Sequence, residues 1–174
     1  MRTELCGIVP AVASPCDDHD RFLEDIFAKH LASLYRARIR GVYVCGSTGD
    51  GKKMRLEDRK RAAQMAVDVS GEFGGKVILH VGAETTRDAC ELAAHGAEVG
   101  VDVVSSLVPN NCSHADIMSY YTDIAGASSL PLLAYHIPIL SSRVATFDEV
   151  LAVLDIERVI GVKISQWDLF FLQR

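Results

Sequence analysis

Lys163 stands in the run Val159-Ile160-Gly161-Val162-Lys163-Ile164-Ser165, where β-branched residues on both sides of a glycine predict a strand buried on both faces. A lysine is out of place there. Burial disfavours an ammonium, and a neutral amine is the form that attacks a carbonyl carbon to make a Schiff base. Alone, such a lysine reads more readily as a strand-end side chain with a buried stem and its amine in water, so its company decides. Tyr135 ends another apolar run 28 residues earlier, the length of one βα unit, and its hydroxyl can both donate and accept a proton. Ser47 and Thr48 sit in Gly46-Ser47-Thr48-Gly49-Asp50-Gly51, directly after a third apolar run, and bring hydroxyls and accessible backbone N–H groups suited to a carboxylate. Tyr135 on its own could be a core aromatic and Ser47-Thr48 an ordinary turn. At one end of one sheet, the amine, the phenol and the hydroxyls make a site for carbonyl chemistry.

The elements that must position them alternate in type. Apolar runs predict strands at 7–13, 41–45, 76–81, 101–107, 130–135 and 159–165, and amphipathic patterns predict helices at 22–38, 56–69, 85–99, 113–125 and 147–154. The strand starts fall about 25 to 35 residues apart, which predicts parallel strands joined by helical crossovers. An open doubly wound sheet that binds a nucleotide would carry a glycine fingerprint after its first strand, and none is present. The expectation is therefore an α/β (β/α)8 TIM barrel, residues 1–174 forming one domain cut short after the sixth strand, since eight units take about 250 residues. In that architecture the loops after the strands share the end that carries the site.

Composition narrows the partners. With a formal net charge of −5 and no basic stripe, nucleic acid and anionic membrane surfaces are poor partners, and no apolar run is long enough to span a bilayer. Small molecules are better ones. The five cysteines are odd in number and widely spaced, with no Cys-x-x-Cys, which suggests neither a disulfide framework nor a zinc site and fits a reducing cytoplasm. Gly46-x-x-x-x-Gly51-Lys52 matches most of a phosphate-cradling loop, but Lys53 stands where a magnesium-holding hydroxyl belongs, and the loop follows the second strand rather than the first. A metal hydrolase would draw on His80, His95, His114 or His136, yet none of these pairs has a recognisable ligand spacing, and His80 inside a strand reads as a core histidine.

Gly46-Ser47-Thr48-Gly49-Asp50, Tyr135-His136-Ile137-Pro138 and Gly161-Val162-Lys163-Ile164-Ser165, in that order and separation, resemble the signature of the pyruvate-dependent class I aldolases. That is the family of N-acetylneuraminate lyase and dihydrodipicolinate synthase. The resemblance spans nearly the whole chain and implies a TIM barrel, usually a homotetramer, that takes pyruvate and a sugar acid or aldehyde and needs no cofactor or metal. It also implies that Lys163 forms the Schiff base, that Tyr135 relays protons, and that Ser47 and Thr48 hold the pyruvate carboxylate, with Ser165 completing the substrate site. Dihydrodipicolinate synthases place an arginine two residues after the proline of Tyr-x-x-Pro, where this chain has Leu140. Leu140-Ser141 and Lys163-x-Ser165-x-x-Asp168-Leu169 look more like the sialic acid lyases, so cleavage of N-acetylneuraminate or a related 2-keto-3-deoxy sugar acid is the expected reaction. A dihydrodipicolinate synthase type of condensation is the alternative.

The chain departs from the family pattern in three places. Asp50 replaces the usual glutamate; Val108-Pro109-Asn110-Asn111 stands where the family offers an aromatic pair for the proton relay; and the sequence stops at Arg174, with an uncovered apolar face on Trp167, Leu169, Phe170 and Leu172. A fragment of a longer enzyme, closure of the barrel by another chain, or a non-catalytic assembly subunit would each account for the last of these.

Overall fold

The computed structural model describes residues 5–108, 112–140 and 145–173. Its elements are α1 (Glu24–Arg36), β1 (Gly41–Val44), α2 (Leu56–Phe73), β2 (Lys76–His80), α3 (Thr86–Val99), β3 (Val103–Leu107), α4 (His114–Ala127), β4 (Leu132–His136), a 3-10 turn (Pro138–Leu140), α5 (Phe147–Leu154), β5 (Val159–Ile164) and α6 (Leu169–Leu172). All neighbouring strands are parallel, and the sheet order is β1-β2-β3-β4-β5, the order of the chain.

A doubly wound sheet reverses its strand order and puts helices on both faces. Here the order never reverses. Each helix from α1 to α5 packs on the next, so the helices make one layer on one face, which is the arrangement of a (β/α) barrel. Between sheet and helices lies the main core, built on Phe27, Leu31, Leu79, Leu92, Ile124 and Leu132, all fully buried. The opposite face, the barrel interior, carries Tyr43, Ile78 and Val103 and, further along, Leu107, Tyr135 and Ile137.

The helix starts follow local chemistry. The Thr85 hydroxyl accepts from the Asp88 N–H, and Ser113 with Asp116 and Thr146 with Glu149 form reciprocal capping boxes that satisfy the first-turn donors of α4 and α5.

The strand expected at 7–13 is corrected by the structure. That segment meets β1 only through a bridge at Ala11 and Tyr43, with Val12 donating to the Tyr43 carbonyl at 3.0 Å and Tyr43 to the Pro10 carbonyl at 2.9 Å. Pro10 has no N–H to extend a ladder, and Gly7 at φ +85° turns the chain out of extended conformation. The described residues therefore hold five strands rather than six, and the lysine strand is the fifth. Past β5 the apolar side chains of Trp167, Leu169 and Phe170 are exposed, as their pattern predicts.

Candidate functional site

Side chains at matched positions of parallel strands share a face, so register decides whether the amine and the phenol meet. Leu132 pairs with Val159, but Leu133 pairs with Gly161, leaving Ile160 as one extra residue on β5. From there on Tyr135 stands opposite Lys163. Without that bulge Tyr135 would face Val162 and the lysine would point to the other side of the sheet.

Lys163 Nζ lies 3.4 Å from the centre of the Tyr135 ring and 5.3 Å from that of Tyr43, so two aromatic faces hold the amine. It also donates to Ser165 Oγ at 3.4 Å, and the Ser165 N–H is fixed to the His136 carbonyl at 2.9 Å. Burial alone would raise the Tyr135 pKa, but Lys163, Ser165 and Ser47 stabilise the phenolate more than burial opposes it, and the balance lies below the usual tyrosine value. A phenol easier to ionise than usual, beside an amine, is equipped to pass a proton.

Ser47 and Thr48 lie on the turn after β1. Gly49 and Gly51 both donate to the Gly46 carbonyl at 3.1 Å, closing the turn on itself. Ser47 is the hydroxyl that reaches the Tyr135 environment. Thr48 is exposed on the same turn and makes no hydrogen bond among the described residues. Thus Lys163, Tyr135, Ser165 and Ser47 come together at the carboxyl ends of β1, β4 and β5, with Thr48 at the rim. Pro109, Asn110, Asn111 and Ser141 lie outside the described residues.

The structure adds three residues that the sequence pattern passed over as site components. Tyr43 donates to Ser105 Oγ at 3.0 Å, and the rings of Tyr43, His80 and Tyr135 stand 6.2 to 6.3 Å apart, forming an aromatic floor below the amine. His80 is buried, and its Nε2 accepts the Leu107 N–H at 3.2 Å. That is a core role. No cluster of three or more metal-ligand side chains occurs among the described residues. Arg59 reaches from α2, fully buried, and donates to the His80 carbonyl at 2.6 Å and the Gly82 carbonyl at 3.0 Å, tying down the loop after β2.

Burial, aided by the Arg59, Lys52 and Lys163 charges, lowers the His80 pKa to about 3. A free imidazole titrates near 6.5, so between those values the unfolded chain holds a proton that the native chain lacks. Stability is expected to be undiminished by this group above about pH 6.5 and to fall as pH drops towards about 3. Urea midpoints for wild type and His80→Gln at about pH 7 and about pH 5 check this. The variant should lose less stability on acidification, and equal losses would refute it.

Residues 4–172 match the family model of the dihydrodipicolinate synthetase family. The N-acetylneuraminate lyase of Rhizobium meliloti is 31% identical over 175 residues, which cover 98% of this chain and 57% of that protein. A 4-hydroxy-tetrahydrodipicolinate synthase from Methanopyrus kandleri is 29% identical over 181 residues, covering 100% of this chain and 59% of that protein. Among solved structures, the wild-type sialic acid aldolase of Ruminococcus gnavus superposes with a TM-score of 0.90 at 27% identity, over 96% of this chain and 56% of that one. The chain spans under three fifths of the length of these curated relatives.

Proposed function

The chain belongs to the dihydrodipicolinate synthetase family, and from that premise we propose that it acts as a pyruvate-dependent Schiff-base aldolase. The observation that carries the reading is the pairing of Tyr135 with Lys163 across β4 and β5, with Ser165 and the Ser47 turn beside them. Lys163 in its neutral form attacks the C2 ketone of pyruvate, water leaves, and the resulting iminium draws the electrons of the breaking or forming carbon–carbon bond. Tyr135 moves the proton at the aldehyde oxygen. The Ser47 hydroxyl and the N–H groups of the turn hold the carboxylate, with Thr48 at the rim.

The substrate favoured is N-acetylneuraminate or a related 2-keto-3-deoxy sugar acid, cleaved to pyruvate and an aldehyde. Leu140 supports it, standing where an arginine would serve a second carboxylate in the condensing enzymes, and so does the likeness to the Rhizobium and Ruminococcus proteins. We place the enzyme in the cytoplasm as a homo-oligomer, a reading supported by free cysteines and by the exposed apolar residues after β5.

Incubation with pyruvate followed by borohydride, read by intact mass and peptide mapping, tests the proposal. A reduced pyruvyl group on the peptide carrying Lys163 is the expected result. A folded sample with no adduct, or with one elsewhere, would sink the catalytic reading and leave a non-catalytic assembly subunit. Tyr135→Phe keeps the ring face under the amine and removes only the hydroxyl. It should retain the adduct while slowing pyruvate release from N-acetylneuraminate by about 100-fold or more, and an unchanged rate would remove Tyr135 from the relay.

A further inference from the structure

Tyr121 is buried on α4, the crossover helix between β3 and β4, and the proton-relay chemistry leaves it unused. Its hydroxyl donates to the Ser106 carbonyl at 2.8 Å and accepts the Tyr135 N–H at 3.3 Å. One of those groups belongs to β3 and the other to β4. Val104 donates to the Pro131 carbonyl and Ser106 stands opposite Ala134, so in this register they are two groups that the parallel ladder joins. A side chain from the helix layer thus reaches into the sheet at its carboxyl end. It does so on the backbone of Tyr135 itself.

That position gives the hydroxyl leverage on the site. Tyr121 comes from the helix side of the sheet, whereas the Tyr135 ring stands on the barrel side, with its centre 3.4 Å from Lys163 Nζ. A buried hydroxyl that both donates and accepts is fixed in direction, and any slip of β4 against β3 here would carry the phenol with it. Tyr120, the preceding residue of α4, provides the comparison. It is just as buried, its ring meets that of Tyr121 edge-on at 5.7 Å, and its hydroxyl bonds to Ser106 Oγ at 2.8 Å and the Leu107 carbonyl at 3.4 Å. Both of those partners lie on β3 and neither belongs to Tyr135.

Resting on the aldolase reading above, we infer that Tyr121 is a positioning residue for the reaction, its hydroxyl fixing β3 against β4 at Tyr135 and so setting the phenol against Lys163 and Ser47.

Tyr121→Phe and Tyr120→Phe each remove one buried hydroxyl and keep the ring, so a loss of stability is common to both and the site readouts separate them. Pyruvate trapping should survive in both. Pyruvate release from N-acetylneuraminate should fall about tenfold in Tyr121→Phe, in kcat rather than KM, and stay within about twofold of wild type in Tyr120→Phe. In a Tyr135→Phe background, Tyr121→Phe should cost nothing further, because its effect runs through the hydroxyl already removed. A phenolate titration read by absorbance gives a second measure that needs no substrate. The chain has five tyrosines, and burial raises Tyr35 and Tyr120 to about 12 and also raises Tyr43 and Tyr121, so the first step belongs to Tyr135. That step should move to higher pH in Tyr121→Phe, as the phenol leaves Lys163 and Ser47, and stay in place in Tyr120→Phe. An unshifted first step, equal losses in the two variants, or a loss that persists in full without the Tyr135 hydroxyl overturns the inference while the aldolase reading stands. Failure of wild type to trap pyruvate removes both.

Discussion

Lys163→Ala is expected to leave the chain's mass unchanged after pyruvate and borohydride, where wild type gains the reduced adduct. No other amine in the described structure stands over the Tyr135 ring or within reach of Ser165, and imine formation requires a nucleophilic nitrogen at that point. Lys52 and Lys53, on the turn after β1, pair with Glu84 and Asp50 and should not substitute for it. The loss should be one of chemistry rather than of folding. Lys163 is only half-buried, and removing its contact with two rings should cost about 1 kcal/mol, visible as a small shift in the denaturation midpoint. An adduct persisting at wild-type level in the alanine variant would move the reactive amine elsewhere.

Gly51→Ala should damage both stability and trapping. A Cβ at Gly51 would lie 1.8 Å from the Cys45 carbonyl oxygen and 2.5 Å from its carbon, and backbone atoms cannot rotate aside as a side chain can. Cys45 is itself fully buried with φ at +56°, so the strand end behind the turn has little room to yield. The turn must open, carrying Ser47 away from Tyr135. The expected cost is about 3 kcal/mol, a fall in Tm of roughly 6 to 12 °C for a chain of this size, together with loss of the pyruvate adduct. Gly126→Ala provides the matched control, because a Cβ on that exposed helical glycine of α4 meets nothing within 4 Å. If Gly51→Ala melted and trapped like wild type, the turn could not be the rigid holder of the carboxylate.

The strands from β1 to β5 were legible because each is a short run rich in apolar residues, β-branched in all but β4, and their observed bounds differ from the pattern by a residue or two. Residues 7–13 looked like the same kind of run, and only the missing N–H of Pro10 and the turn at Gly7 set them apart. Lys163 and Tyr135 were legible as a pair by their spacing. What the spacing did not carry was the bulge at Ile160, since nothing in Val159-Ile160-Gly161 announces which residue will be left unpaired. Tyr43 and His80 were hidden for a related reason. In a strand apolar on both faces, alternation does not say which side looks into the barrel. Arg59 reads as part of a charged helix face, and its burial depends on carbonyls 21 and 23 residues further along the chain.

Because sheet order and chain order coincide, each strand's partner is the one synthesised immediately before it, about thirty residues earlier. No pairing has to wait for a distant segment, so loop-closure entropy stays nearly constant from one addition to the next. A nascent chain can therefore add its βα units in the order in which they leave the ribosome, with β5 joining a sheet that already exists. The end of β5, with Lys163 and then Ser165, is the last part of the candidate site to arrive. Lys163 therefore reaches the Tyr135 ring only after β4 has put that ring in place.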